Sequence, residues 1–237
     1  MSIYLGNTEI GEIYLGSTEI SEAYIGGTKV FEKGGGSILP SGYTQLEYLE
    51  NALDKSAYFN TGLKTSNTFG FEVDAMFYDT FNATNHSLFG GRYADKNRDV
   101  TLCTYTATSA NCHGQLRTGG ASMQTDANLA QDVRFTASFI EGVFITSTGI
   151  NKNVSYSGSH NCNVNVFCQG SLNNTNPINN AHGRIYSLKF YNGSTLVRDF
   201  VPCIDPNDVY GMYDLVNNVF YGSAAADAFT GVELNNN

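Results

Sequence analysis

The sequence predicts an all-β protein, an antiparallel sandwich of jelly-roll type preceded by a small repeat of β-hairpins. Three observations predict it. A ten-residue repeat opens the chain, several later stretches alternate apolar and polar residues, and turns rich in glycine or asparagine punctuate those stretches. Composition agrees: of 237 residues 41% are hydrophobic, 15 are Phe and 15 Tyr, 25 are Gly and only 4 are Pro. Charged residues make up 15%, against roughly 25% in an average globular chain, so the sequence has the apolar surface to bury a core and is not of a disordered type.

The repeat reads Ile3-Tyr-Leu-Gly-Asn-Thr-Glu-Ile10, Ile13-Tyr-Leu-Gly-Ser-Thr-Glu-Ile20 and Ala23-Tyr-Ile-Gly-Gly-Thr-Lys-Val30. Each copy places apolar residues on both sides of a Gly-Asn, Gly-Ser or Gly-Gly pair, and glycine accepts the positive φ of a tight two-residue turn. Three small hairpins or a short meander are expected. A strand of three residues spans only ~10 Å, so such hairpins have little core of their own and much unpaired edge. Residues 1–33 are therefore expected to form an assembly or anchor segment, with Ile3, Tyr4, Leu5, Ile10, Ile13, Tyr14, Leu15, Ile20, Tyr24, Ile25 and Val30 at its interface. The alternative is that this face packs on the chain's own C-terminal domain. Residues 34–38, within Glu32-Lys-Gly-Gly-Gly-Ser37-Ile38, read as a Gly-rich linker.

Residues 39–234 read as one large β domain. In Phe69-Gly-Phe-Glu-Val-Asp-Ala-Met-Phe77 every odd position is apolar, the period-2 mark of a half-buried strand. Val133, Phe135, Ala137 and Phe139 repeat the pattern, Glu141-Gly142 makes a turn, and Val143-Phe-Ile145 returns. Arg184–Tyr191 and Ser194–Phe200 form a hairpin pattern across Asn192-Gly193, as do Tyr213–Val216 and Val219–Tyr221 across Asn217-Asn218. In Gln45–Asp54, Leu46, Leu49 and Leu53 carry helical spacing as well.

These residues resemble a known family. Leu39-Pro-Ser-Gly-Tyr-Thr-Gln-Leu-Glu-Tyr-Leu-Glu50 with Ala57-Tyr-Phe-Asn-Thr-Gly-Leu63 resembles the opening of a concanavalin A-like (laminin-G-like) jelly-roll domain. Gly183–Tyr191, Leu196–Cys203 and Gly211–Tyr221 are similar to its close. The resemblance implies that the Leu46-Glu-Tyr48 segment is extended rather than helical. Such domains occur in phage and prophage structural proteins, and the decapeptide Tyr-Leu-Gly-x-Thr-Glu-Ile is similar to short repeats that precede them there. What the resemblance implies is a bacteriophage virion protein of head fibre or tail fibre, with the repeat as anchor and the jelly roll facing outward.

The same superfamily holds glycoside hydrolases, whose strand motif E-x-D-x-x-E presents carboxylates to a cleft. Glu72-Val-Asp74 begins that pattern, but Phe77 stands at the last position. Glycoside hydrolysis needs two carboxylates flanking one bond, and Glu72 and Asp74 alternate with Phe71, Val73 and Ala75 as the solvent side of a strand would. No catalytic residue is expected. Asp95-Lys-Asn-Arg-Asp99 and Asp205-Pro-Asn-Asp208 offer oxygen ligands without the spacing of a calcium loop, and read as turns. His160, Cys162 and Cys168 lack a second pair at zinc spacing. No metal, cofactor or nucleotide motif is expected.

The net charge of −9 argues against nucleic acid as partner, since that affinity comes from Lys and Arg. No apolar run reaches the ~20 residues that cross a bilayer, so no membrane insertion is expected. The start, MSIYLGNTEIG, has no secretory signal pattern, which together with the resemblance points to a virion protein assembled in the host bacterial cytoplasm. The five cysteines, Cys103, Cys112, Cys162, Cys168 and Cys203, are then reduced rather than bridged. The expected partners are the chain itself, as a homotrimer, and other virion proteins. Cell-surface or mucosal glycans are candidate ligands, on the strength of aromatic and amide residues in Asn161–Asn180 and Tyr78–Tyr93, with no individual glycan-binding residue singled out. The alternative is a free carbohydrate-binding or carbohydrate-active protein of a gut bacterium.

Overall fold

A computed structural model describes the strand residues of 3–32 and residues 38–78, 86–94, 97–106, 112–118, 124–127, 129–155, 161–171 and 179–234. The described chain is all-β, without a helix, and divides into two compact units, Met1–Ser41 and Gly42–Asn237. In the first, β1 (Ile3–Leu5) pairs antiparallel with β2 (Thr8–Ile10), β3 (Ile13–Leu15) with β4 (Thr18–Ile20), and β5 (Glu22–Ile25) with β6 (Thr28–Glu32). The side chains of these strands, the expected interface residues from Ile3 to Val30 among them, lie outside the described residues, as does the linker up to Ser37.

The second unit opens with β7 (Thr44–Asn51), β8 (Phe59–Lys64), β9 (Phe69–Phe77), β10 (His86–Ala94), β11 (Asn97–Thr106), β12 (Cys112–Thr118) and β13 (Gln124–Asp126). It continues with β14 (Phe135–Ile140), β15 (Val143–Thr146), β16 (Asn151–Asn153), β17 (Asn163–Val166) and β18 (Gly170–Ser171). Last come β19 (Gly183–Asn192), β20 (Thr195–Ile204), β21 (Tyr210–Asp214), β22 (Val219–Gly222) and β23 (Thr230–Glu233). A seven-stranded sheet runs β13-β12-β11-β10-β17-β8, with β18 parallel to β10. A ten-stranded sheet runs β16-β15-β14-β9-β19-β7-β20-β21-β22, with β23 on β7. Among the named strands every pairing but β10–β18 is antiparallel.

The two sheets face each other across an aromatic core. Phe71 of the ten-stranded sheet meets Phe89 of the seven-stranded sheet edge to face, ring centroids 4.8 Å apart, and Phe89 meets Phe190 at 5.4 Å. Phe59 meets Phe200 at 5.5 Å in the same way. Each of these rings is fully buried, and burying a phenylalanine side chain contributes roughly 1.5–3 kcal/mol before entropy. That is why strict alternation in β9, with Phe69, Phe71, Val73, Ala75 and Phe77 all buried, locks its register: a slip of one residue would turn the whole row to solvent.

Local expectations fare differently. Gln45–Asn51 is extended within β7, and Leu53, the third leucine of the helical spacing, lies in the turn that follows, 64% exposed. Glu141 and Gly142 both take positive φ (49° and 81°) between paired Ile140 and Val143, the tight turn expected there. Val133 does not join the β14 row; it lies before the strand, exposed. The β19–β20 turn sits one residue later than the sequence suggests: Asn192 pairs Thr195, so Gly193 and Ser194 form it. The β21–β22 turn is longer than two residues, because Asp214 pairs Val219. Here the buried Asp214 carboxylate accepts hydrogen bonds from Val216 N and Asn217 Nδ2, which pulls Leu215–Asn218 out of the ladder.

Candidate functional site

The outward face of the ten-stranded sheet carries an open groove of about 440 Å³. Register builds it. Across β15, β14, β9, β19 and β20, one row of directly opposed residues reads Ile145, Ser138, Glu72, Lys189, Asp199. The adjacent row reads Thr136, Asp74, Ser187. Short hydroxyl side chains at Thr136, Ser138, Ser147 and Ser187 leave the depression, and Ile145, 44% exposed, gives it one apolar wall.

Both carboxylates of the groove are engaged. Asp74 accepts a two-pronged pair of hydrogen bonds from Arg134 Nε and Nη2, each 2.8 Å, a geometry that fits the guanidinium fork. Those bonds raise the Arg134 pKa against its partial burial. Glu72 accepts from Tyr191 Oη at 2.8 Å. Burial, and then this bond to a carboxylate, push the Tyr191 phenol up to about 12. Lys189 lies 3.9 Å from Asp199, whose carboxyl is raised by burial and by nearby Asp214 and Glu72, with Lys189 opposing.

Beyond Asp74 the same face becomes a ladder of tyrosine rings and guanidinium groups. Arg134 lies 3.7 Å over the Tyr186 ring, Tyr186 meets Tyr48 at 5.5 Å, and Arg184 lies 4.0 Å over Tyr48. Arg184 Nε and Tyr78 Oη both donate to Glu50 Oε2, at 2.8 and 2.5 Å. Burial and the Glu50 bond hold Tyr78 protonated well above the ordinary tyrosine range. Arginine occupies these ring faces, so the groove presents hydroxyls, carboxylates and one ammonium to a ligand rather than a bare aromatic platform.

The sequence singled out Glu72 and Asp74, and the structure puts both on the face opposite buried Phe71, Val73 and Ala75. Phe77 is buried in the core, pointing away from them. Arg134, Ser138, Ser187, Lys189 and Tyr191 were not singled out; their signal is the polar phase of β19 and of β14 with the residue just before it, readable only once the strand order is known. Asp205 forms a turn, its Oδ1 accepting from Asn207 N and Val209 N; burial is the largest single influence and opposes ionisation, but these bonds and that from Asn207 Nδ2 together outweigh it and lower the pKa. The side chains of Asp95 and Asp99, and His160, lie outside the described residues. Cys103, Cys162, Cys168 and Cys203 are buried and unbridged, and burial pushes the Cys168 and Cys203 thiols up to about 12. Among the described residues no group of three or more His, Cys, Asp or Glu side chains is placed to hold a metal ion.

Comparison with known proteins adds no identity: no protein-family model and no curated protein matches the chain.

Proposed function

We propose that this chain is a non-enzymatic structural protein of a bacteriophage particle, a head fibre or tail fibre component that recognises glycans. In this reading residues 1–33 are a repeat of small β-hairpins that anchors the chain in the virion or joins it into a homotrimer. Residues 34–38 are the linker, and 39–234 are a concanavalin A-like jelly roll displayed outward. The observation that carries recognition over hydrolysis is the engagement of both groove carboxylates, Asp74 by Arg134 and Glu72 by Tyr191. A general acid and base must be available to the scissile bond and to water, whereas fixed carboxylates and hydroxyls suit hydrogen bonding to sugar hydroxyls.

Mass spectrometry of purified particles tests the first half: the protein is expected among virion components, and its absence overturns the virion reading in favour of a free carbohydrate-binding protein. Deleting residues 1–36 is expected to abolish incorporation and lower the oligomeric mass. A glycan array probed with the intact oligomer tests the second half, since multivalency makes weak sites measurable. Turnover of β-glucans that Glu72→Gln abolishes would make the protein an enzyme.

A further inference from the structure

The seven-stranded sheet has its own outward face, on which β10 and β17 bury uncharged polar side chains, and Gln169, just before β18, is buried as well. Asn165 lies between the core residues Val164 and Val166, hence on the side away from the core, and Ser87 opposes Cys103 next to the core residue Leu102. Ser87, Asn165 and Gln169 are at least 96% buried. Yet among the described residues Ser87 Oγ, Asn165 Oδ1 and Gln169 Nε2 have no hydrogen-bond partner. Buried polar groups in folded proteins nearly always have one, so three together call for an occupant.

The three belong to one neighbourhood. Asn165 Nδ2 donates to Cys168 Sγ at 3.5 Å, and Gln169, the next residue, accepts at Oε1 from Asn179 Nδ2 at 2.7 Å. The Asn179 carbonyl in turn accepts from Ser87 N at 2.7 Å. The backbone is strained at the same place. Phe167 holds φ +62°, a left-handed conformation that a bulky residue keeps only when its surroundings over-determine it, and such strain concentrates at binding sites. The strands also close tightly here: a Cβ on Gly90 would lie 2.4 Å from the Val100 carbonyl oxygen, and one on Gly170 2.0 Å from that of Asn163.

The orphaned atoms specify their occupant. Asn165 Oδ1 can only accept, Gln169 Nε2 can only donate, and Ser87 Oγ does either. A cation would face the Gln169 N–H groups and an anion the Asn165 carbonyl oxygen. Exchanging oxygen and nitrogen in these amides leaves a donor at Asn165 and an acceptor at Gln169, so the demand is unchanged. Only a group that both donates and accepts satisfies it. We propose that Ser87, Asn165 and Gln169 form a hydroxyl-binding site, separate from the groove, in which an O–H group is sealed against the outward face of the seven-stranded sheet. Because the three atoms are closed to solvent, the occupant is internal water, a source that must be told apart from the hydroxyl of a bound sugar.

A crystal structure of the full-length protein, grown without polyols, is expected to show an ordered oxygen within ~3.2 Å of at least two of the three atoms. After a soak in a neutral monosaccharide that single oxygen is expected unchanged, and a sugar ring at the same atoms would overturn the assignment to internal water. Thermal melts give an independent reading. A hydroxyl that holds a bound O–H stabilises the fold, so Ser87→Ala is expected to lower Tm by ~2–4 °C. If the cluster is dry, the variant removes an unsatisfied group. Empty density, or a Tm that holds or rises in Ser87→Ala, overturns the proposal.

Discussion

The two outward faces of the sandwich solve the same problem in opposite ways. On the ten-stranded sheet the outward face mixes hydroxyls with half-exposed, paired charges: Asp74 with Arg134, Glu72 with Tyr191, Glu50 with Arg184 and Tyr78. On the seven-stranded sheet, Ser87 of β10, Asn165 of β17 and nearby Gln169 are uncharged and buried, and one side-chain atom of each lacks a partner among the described residues. Water screens and competes with the first set, so each pair there is worth little singly but leaves an open surface for a ligand. The second set is cut off from water, so each atom matters more and the surface is closed.

Perturbing each sheet tests that contrast. The largest effect is expected where a charge pair on the ten-stranded sheet is itself buried. Asp214 is fully buried, 3.3 Å from Arg198. Asp214→Ala would strand that guanidinium and is expected to lower unfolding free energy by about 3–5 kcal/mol, read as a shift of the urea midpoint. On the seven-stranded sheet, Gly170→Ala forces a Cβ into the Asn163 carbonyl and is expected to cost about 3 kcal/mol by the same measurement. A near-neutral result there would mean that the strands around β18 are not closed.

Arg134→Ala, by contrast, removes an exposed pair and is expected to cost about 1 kcal/mol, an effect that shrinks with added salt. The smallest change at neutral pH is expected for Tyr191→Phe, at about 0.5–1 kcal/mol. Its signature lies in alkali. The folded Tyr191 pKa of about 12 stands above the ordinary 10, so its contribution is whole below pH 10 and is lost as pH rises through about 12. The alkaline limb of the wild-type stability curve is expected to flatten in this variant, and an unchanged limb would remove the Glu72–Tyr191 bond from the account of the groove.

Much of the fold was legible because its signals are local. Alternation over Phe69–Phe77 needs only the sequence to say which side chains go inward, and Glu141-Gly142 needs only glycine's tolerance of positive φ to make a turn. Where a distant partner intervenes, local signals mislead. Leu46, Leu49 and Leu53 fit a helix by spacing, but pairing of β7 with β19, β20 and β23 fixes the backbone extended and leaves Leu53 in solvent. Asn217-Asn218 promises a two-residue turn, but the buried Asp214 carboxylate claims the neighbouring donors and widens it. The groove was half legible. Glu72 and Asp74 were found by motif, while Ser138, Ser187 and Lys189 look like any polar strand residues until they share its rows.

The sequence by itself determined the all-β class, the inward faces of the best-patterned strands and several of the turns, because side-chain alternation and glycine conformation are properties of adjacent residues. Tertiary structure alone decided which polar residues became neighbours. The order β15-β14-β9-β19-β20 joins residues from 72 to 199 in one row, and it is set by burying one aromatic core between two sheets. The same long-range packing closed one outward face over Ser87, Asn165 and Gln169 and left the other open over Glu72 and Asp74.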